Sequence, residues 1–305
     1  MDSRSGQLHI MFFPHLSDGH LIPTIDMAIT FSSHGVKSTI VTTPSNAALF
    51  LDTIEKEQKL GLDISMRTIT FPVMEGELPQ GCENLNSVTS PHMALNFYKA
   101  IRLLRGPLEE VLQDARPTCL VADTMFPWAT EVAAKFGIPR LVFHGTSLFA
   151  ICAFFSVRFN EPHRKVRSDH EPFVIPDLPD RITMTRMQLP SYVREKIDNE
   201  LTRMIDESVE ADGGSYGVVV NSFRELELAY SDHYRNCERW NNDKQFLVGR
   251  EEMERAVVRL MVGEEAEEMR RRAKLQGKAA RRAVEMGGSS YCDLEALLDE
   301  LMSKP

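Results

Sequence analysis

Three short polar segments each follow an apolar run, and together they hold the chain's candidates for chemistry. They are Ser17-Asp18-Gly19-His20, Asp123-Thr124 and His144-Gly145-Thr146-Ser147. A carboxylate bonded to one imidazole nitrogen fixes the tautomer and stabilises the imidazolium, and the other nitrogen then serves as a general base. His20 and Asp123 are the pair that this chemistry selects. His20 is expected in the first turn of a helix, where the dipole disfavours the charged ring and helps keep the base unprotonated. Each residue also has a plainer reading. A lone histidine at a helix start can be a polar residue with no task, and aspartate is a preferred N-cap. His144 and Thr146 share that plainer reading. Trp128, Phe149, Phe154 and Phe155 are expected in the core rather than around a ligand ring. Spacing alone leaves both readings open, because strand order decides how close the segments come.

The elements that must position these residues read as strand and helix in alternation. Residues 10–13 form a buried strand, and the next helix runs through Ile25, Met27, Ala28, Ile29 and Phe31 to stop at His34-Gly35. Strands follow at 37–42 and 63–71 with a helix over 47–60 between them, then a long Pro- and Gly-containing loop, 72–91. Helical spacing covers 93–113, with Gly106-Pro107 as a kink. Next come a strand at 119–122, a helix at 127–136, a strand at 140–143 and a very apolar helix at 148–157. This alternation predicts an α/β fold with a doubly wound parallel sheet. Ligands in such folds sit at the carboxyl ends of the strands, where all three polar segments lie. Beyond it the expected elements are an excursion over 160–190 with a strand-like piece at 173–175, a helix at 191–211, a buried strand at 217–221 and a short helix at 224–234. From 250 to 286 the chain is charged and helical with a thin apolar stripe, too thin to form a core alone. Gly287-Gly288-Ser289-Ser290 then caps a last helix over 291–301.

Composition narrows the field. At 305 residues the chain fits two domains, or one with an appendage, and 43% hydrophobic residues suffice for a proper core. A net charge of -9 argues against a nucleic-acid partner and against an anionic membrane surface. The five cysteines, Cys82, Cys119, Cys152, Cys237 and Cys292, are far apart without metal-ligand spacing, and read as reduced thiols. No signal peptide opens the chain and no apolar run spans a bilayer, so a cytoplasmic protein is expected. G-x-G-x-x-G, G-x-x-x-x-G-K-[ST] and G-x-S-x-G are all missing, which removes a dinucleotide cradle and a P-loop and weakens a hydrolase. Arg270-Arg271-Arg272 sits among glutamates and reads as a solvated helix face. No metal and no cofactor are expected.

Four segments carry a resemblance. They are Phe13-Pro14-His15-Leu16-Ser17-Asp18-Gly19-His20-Leu21-Ile22-Pro23, Asp123-Thr124-Met125-Phe126-Pro127-Trp128-Ala129, Phe136-Gly137-Ile138-Pro139-Arg140-Leu141-Val142-Phe143-His144-Gly145-Thr146 and Gly217-Val218-Val219-Val220-Asn221-Ser222-Phe223. In order and spacing they resemble the plant UDP-sugar-dependent glycosyltransferases that glycosylate small phenolics such as flavonoids. The likeness runs from about Leu8 to Asn236, and a weaker one covers about 250–301. It implies a GT-B fold, two Rossmann-like domains of which the first holds the acceptor and the second the UDP-sugar. It implies His20 as the base that takes the acceptor proton, Asp123 as its orienting partner, and Gly19, Phe126, His144 and Thr146 as acceptor-binding residues. The implied reaction is inverting displacement at the anomeric carbon with UDP leaving. UDP-sugar, most simply UDP-glucose, is then the donor substrate and a phenolic hydroxyl the acceptor.

The chain departs from the family in one respect. The donor signature, a Trp-x-Pro-Gln opening and a His-Cys-Gly-Trp-Asn-Ser core, is absent, and neither Trp128 nor Trp240 fits it. The resemblance therefore divides the chain into a Rossmann-like acceptor domain with a parallel sheet at 1–236, a junction at 237–249 and a helical remnant of the donor domain at 250–305. The last helix is expected to dock on the first domain through Leu294, Leu297, Leu298 and Leu301. Sugar transfer is expected to fail for want of a donor site. Two other readings stay open: a module that binds an aglycone and transfers nothing, and a truncated gene product without function.

Overall fold

The computed structural model describes residues 7–72, 77–195, 197–236, 245–248 and 278–303. Most of the expected junction, Trp240 and the charged helical stretch up to residue 277 lie outside the described residues.

The strands are β1 (His9–Phe13), β2 (Lys37–Thr42), β3 (Ile64–Thr68), β4 (Cys119–Asp123), β5 (Arg140–His144), β6 (Phe173–Val174), β7 (Thr183–Met184), β8 (Gly217–Val220) and β9 (Gln245–Val248). The main sheet runs in the order β3-β2-β1-β4-β5-β8-β9, and β6 pairs with β7 in a small antiparallel ribbon. Four pairs, β1–β2, β2–β3, β1–β4 and β4–β5, are parallel. The chain moves outward from β1 to β3, then returns to set β4 on the other side of β1, with Phe13 opposite Ala122. That reversal is a topological switch point, the place where open α/β sheets take their ligands. β1 is buried on both faces from Ile10 to Phe13, which is why it reads as a continuous apolar run rather than an alternating one.

The helix Asp18–Ser33 follows β1 within four residues. Its N-cap, Ser17, makes no side-chain cap, because its hydroxyl is hydrogen-bonded at 3.1 Å to His15 Nδ1. Three helices expected as single pieces are each two. Residues 47–60 divide into Pro44–Ala48 and Leu51–Lys59. Residues 93–113 divide into Pro91–Leu103 and Arg105–Ala115. The break falls at Leu104, so Pro107 lies in the first turn of the second helix and forfeits no helical hydrogen bond. The stretch 191–211 divides into Ser191–Arg194 and Glu200–Gly214, the latter started by a reciprocal cap between Asn199 and Thr202.

Two compact units emerge. The first comprises Met1–Gly145, Asn199–Val218 and Asp299–Pro305. Its core gathers Met11, Phe13 and Leu16 from the first crossing with Phe97, Ile101, Leu108, Leu112, Phe126 and Trp128. The second comprises Thr146–Asp198 and Val219–Leu298. There the helix Leu148–Asn160 is anchored by Glu227, which accepts the Leu148 and Phe149 N–H groups, both at 2.9 Å, and the Ser222 hydroxyl. Val157, Phe173, Ile175 and Leu189 form a satellite core around the β6–β7 ribbon. The last helix, Ser289–Ser303, buries Leu294, Leu297, Leu298 and Leu301, the apolar face that its spacing implies. A Cβ at Gly288, just before that helix, would collide with the Arg282 and Ala283 carbonyls, so glycine is required there.

Candidate functional site

β1 delivers His20 as the third residue of the helix Asp18–Ser33, and β4 ends on Asp123. Since β1 and β4 are neighbours at the switch point, the two side chains meet there. His20 Nδ1–H donates to Asp123 Oδ2 at 2.6 Å. The His20 side chain is 26% exposed, whereas that of Asp123 is 0% exposed. The turn after β4 supports the carboxylate, with the Met125 N–H donating to Oδ1 at 2.9 Å. Burial on its own would raise the Asp123 pKa. The charge and hydrogen bond of His20, the charge of His15 and the Met125 N–H outweigh burial, and the net shift is downward. Asp123 is thus ionised at neutral pH, accepts only, and fixes His20 in the tautomer that carries its proton on Nδ1.

Two buried residues that the sequence did not single out complete the surroundings. The His15 ring stands 5.1 Å from that of His20, edge-on, and is enclosed by Phe97, Tyr98 and Phe126. Burial pushes its pKa down to about 4, with Asp123 pulling up and His20 adding to the fall. His15 is therefore neutral at neutral pH and adds no cation beside the base. The Arg140 guanidinium donates to Thr130 Oγ1 at 2.6 Å and to the carbonyls of Ala122 and Asp123 at 3.3 and 2.9 Å. Burial lowers its pKa to about 10 against the pull of Asp212 and Asp123, which leaves it charged at neutral pH. Signals for both existed: His15 stands two residues after a buried apolar strand, and Arg140 opens another.

The remaining candidates fare differently. Gly19 is exposed, and a Cβ there would meet nothing within 4 Å. Phe126, expected as an acceptor contact, is fully buried and stacks on Phe13 at 4.3 Å, because the turn after β4 folds back over β1. The His144 ring is also engaged inside the protein, its Nε2–H donating to Asp212 Oδ2 at 2.8 Å with both groups buried. Thr146 is exposed and begins the second unit. Trp128 and Phe155 are core residues as expected, but Phe149 is 38% exposed, edge-on to Tyr230, and Phe154 is half-buried. Among the described residues no group of His, Cys, Asp and Glu is placed to hold a metal ion, and no helix is long and apolar enough to cross a membrane.

Fold and site together define a doubly wound α/β protein with a histidine–carboxylate pair at its switch point. No family model matches the chain. Individual relatives do. Scopoletin glucosyltransferase of Nicotiana tabacum is 49% identical over 229 residues, 75% of this chain and 48% of the relative. Anthocyanin 3'-O-beta-glucosyltransferase of Gentiana triflora is 49% identical over 231 residues, again 75% and 48%. Among solved structures, Glycyrrhiza uralensis UGT73P12 complexed with glycyrrhetinic acid 3-O-monoglucuronide superposes with a TM-score of 0.72 at 36% identity, over 80% of this chain and 48% of that one. Over the aligned three quarters of its length the chain belongs with the plant UDP-glycosyltransferases, and its α/β fold is that of their GT-B structures. It spans about half the length of the relatives it matches.

Proposed function

We propose that this chain is the acceptor-binding part of a plant UDP-glycosyltransferase acting on small phenolics, with His20 as the general base and Asp123 as its orienting partner. The reading rests chiefly on the 2.6 Å bond between a reachable imidazole and a sealed, ionised carboxylate at the switch point. A phenol loses its proton only near pH 10 in water, so at neutral pH attack on a sugar needs a base at the hydroxyl. In this reading Nε2 of His20 takes that proton as the phenolic oxygen attacks the anomeric carbon. The C–O bond to UDP breaks on the opposite face, and Asp123 stabilises the imidazolium that forms. The open space at Gly19 gives the acceptor its approach. The relatives named for scopoletin and anthocyanin glucosylation support a phenolic substrate.

The same reading holds that these 305 residues do not transfer sugar unaided. Transfer needs the anomeric carbon held in line and the departing UDP stabilised, and orientation alone can supply roughly 7–11 kcal/mol in favourable cases. The donor signature that would do this does not occur in the sequence. The test incubates the purified chain with UDP-glucose and a panel of flavonols, coumarins and simple phenols. Calorimetry reads binding and mass spectrometry reads glucoside. Phenol binding without product is the expected result. Product that vanishes in His20→Ala would overturn the claim of inactivity, and a chain that binds no phenol would overturn the acceptor reading.

A further inference from the structure

The residue after β5, Gly145, lies against the His20 ring. A Cβ built on Gly145 would stand 3.2 Å from His20 Nδ1, 3.4 Å from Cε1 and 3.5 Å from the Gly19 carbonyl oxygen, and nothing else comes nearer. The first distance is below ordinary van der Waals contact for carbon and nitrogen, and the atom crowded is the one that binds Asp123. The Gly145 backbone is not in the left-handed region, so its own geometry does not demand glycine. What glycine supplies is room for one imidazole. The backbone that brings Gly145 there is pinned from two sides. The Thr124 N–H donates to the Phe143 carbonyl at 3.0 Å, tying the ends of β4 and β5. The preceding residue, His144, is held by Asp212 on the helix Glu200–Gly214. Among the groups facing the His20 ring are His15 from just after β1, Asp123 from β4 and the bare Gly145 backbone after β5.

We infer that Gly145 is a positioning residue that seats the His20 imidazole on Asp123, with the His144–Asp212 pair as the anchor that holds Gly145 in place. The inference rests on His20 and Asp123 working as a pair. Any side chain at position 145 must displace Nδ1 from Oδ2 by a few tenths of an ångström or turn the ring toward solvent. Either movement weakens the bond that fixes the tautomer and stabilises the imidazolium.

The experiment uses the intact chain with 15N-labelled histidine and needs no turnover. In the unaltered protein the His20 Nδ1 proton should give a low-field NMR signal, and Asp123→Asn should remove it and lower the His20 titration midpoint. Gly145→Ala should shift that signal upfield or abolish it and lower the midpoint in the same direction, with circular dichroism unchanged. In the Asp123→Asn background the alanine should add nothing, an outcome that a general structural defect would not give. Asp212→Asn, which loosens the anchor at a distance, should produce a smaller shift of the same sign and serves if Gly145→Ala folds poorly. If Asp123→Asn alters His20 while Gly145→Ala and Asp212→Asn do not, the seating role is overturned and the pair survives. If Asp123→Asn leaves His20 unchanged, the pair and the inference fall together.

Discussion

The first compact unit holds two histidine–aspartate pairs, His20–Asp123 at 2.6 Å and His144–Asp212 at 2.8 Å. Their lengths nearly match, yet their settings differ. In the first, the histidine bonds through Nδ1 and keeps about a quarter of its side chain in solvent, over a carboxylate that is wholly sealed. In the second, the histidine bonds through Nε2 and both partners are buried. A base must meet its substrate, so only the first pair has the exposure for proton transfer. The second has the closure expected of a fastening between a strand end and a helix. Contact distance by itself would not have separated them.

Arg140 offers the strongest way to break this contrast, because its buried guanidinium is the cation shared by Asp123 and Asp212. Replacing it, Arg140→Met, leaves both carboxylates without that charge and is expected to cost about 3–5 kcal/mol in urea unfolding. A loss under about 1 kcal/mol would mean that each pair stands independently of it. A smaller effect should come from His15. Its folded pKa of about 4 lies below the ordinary 6.5, so between those values the unfolded chain binds a proton that the folded one refuses. Stability should be full above pH 6.5 and fall as the pH drops toward 4, by on the order of 3 kcal/mol. Comparing unfolding free energies of wild type and His15→Phe across that range isolates the effect, and identical slopes would refute it. The mildest substitutions are the most direct. His144→Ala removes a hydrogen bond between two buried groups and should cost about 1–3 kcal/mol, and His20→Ala, which takes the imidazole from the sealed Asp123 carboxylate, should cost a similar amount. A thermal melt in which His144→Ala costs nothing would deny that pair its role as a fastening and dissolve the comparison.

Much of this was legible in the sequence. The strands at 10–13, 37–42, 119–122 and 140–143 were readable because each is a short apolar run bounded by polar turns, and all match within a residue. His20 and Asp123 were readable as candidates because Asp123 closes such a run and His20 stands in the polar segment that follows another. Their meeting was implied by the resemblance alone, since it depends on β4 returning to the side of β1 opposite β2, and local spacing carries no trace of strand order. The helix breaks at Leu104 and before Asn199 were missed because apolar periodicity continues across them, although the cap residues Asn199 and Thr202 were a usable sign. Phe126 and His144 show a different limit. Their internal partners, Phe13 and Asp212, lie far off in the sequence, and no local pattern announces them. Gly145 carried no signal, because what matters there is a missing atom next to a ring 125 positions earlier in the chain.

The return of β4 to β1 also has a bearing on the order in which the protein folds. Pairing β1 with β2 joins residues 28 apart, His9 with Lys37, and the β3-β2-β1 half of the sheet is joined by local helical crossovers. The bond between His20 and Asp123 spans 103 residues and cannot form until β4 has found β1. Closing the longer loop costs only about 1 kcal/mol more in chain entropy, but such long-range pairings come late and slowly. The low-field proton of His20 should therefore be among the last signals to appear on refolding, which makes it a clock for completion of the sheet.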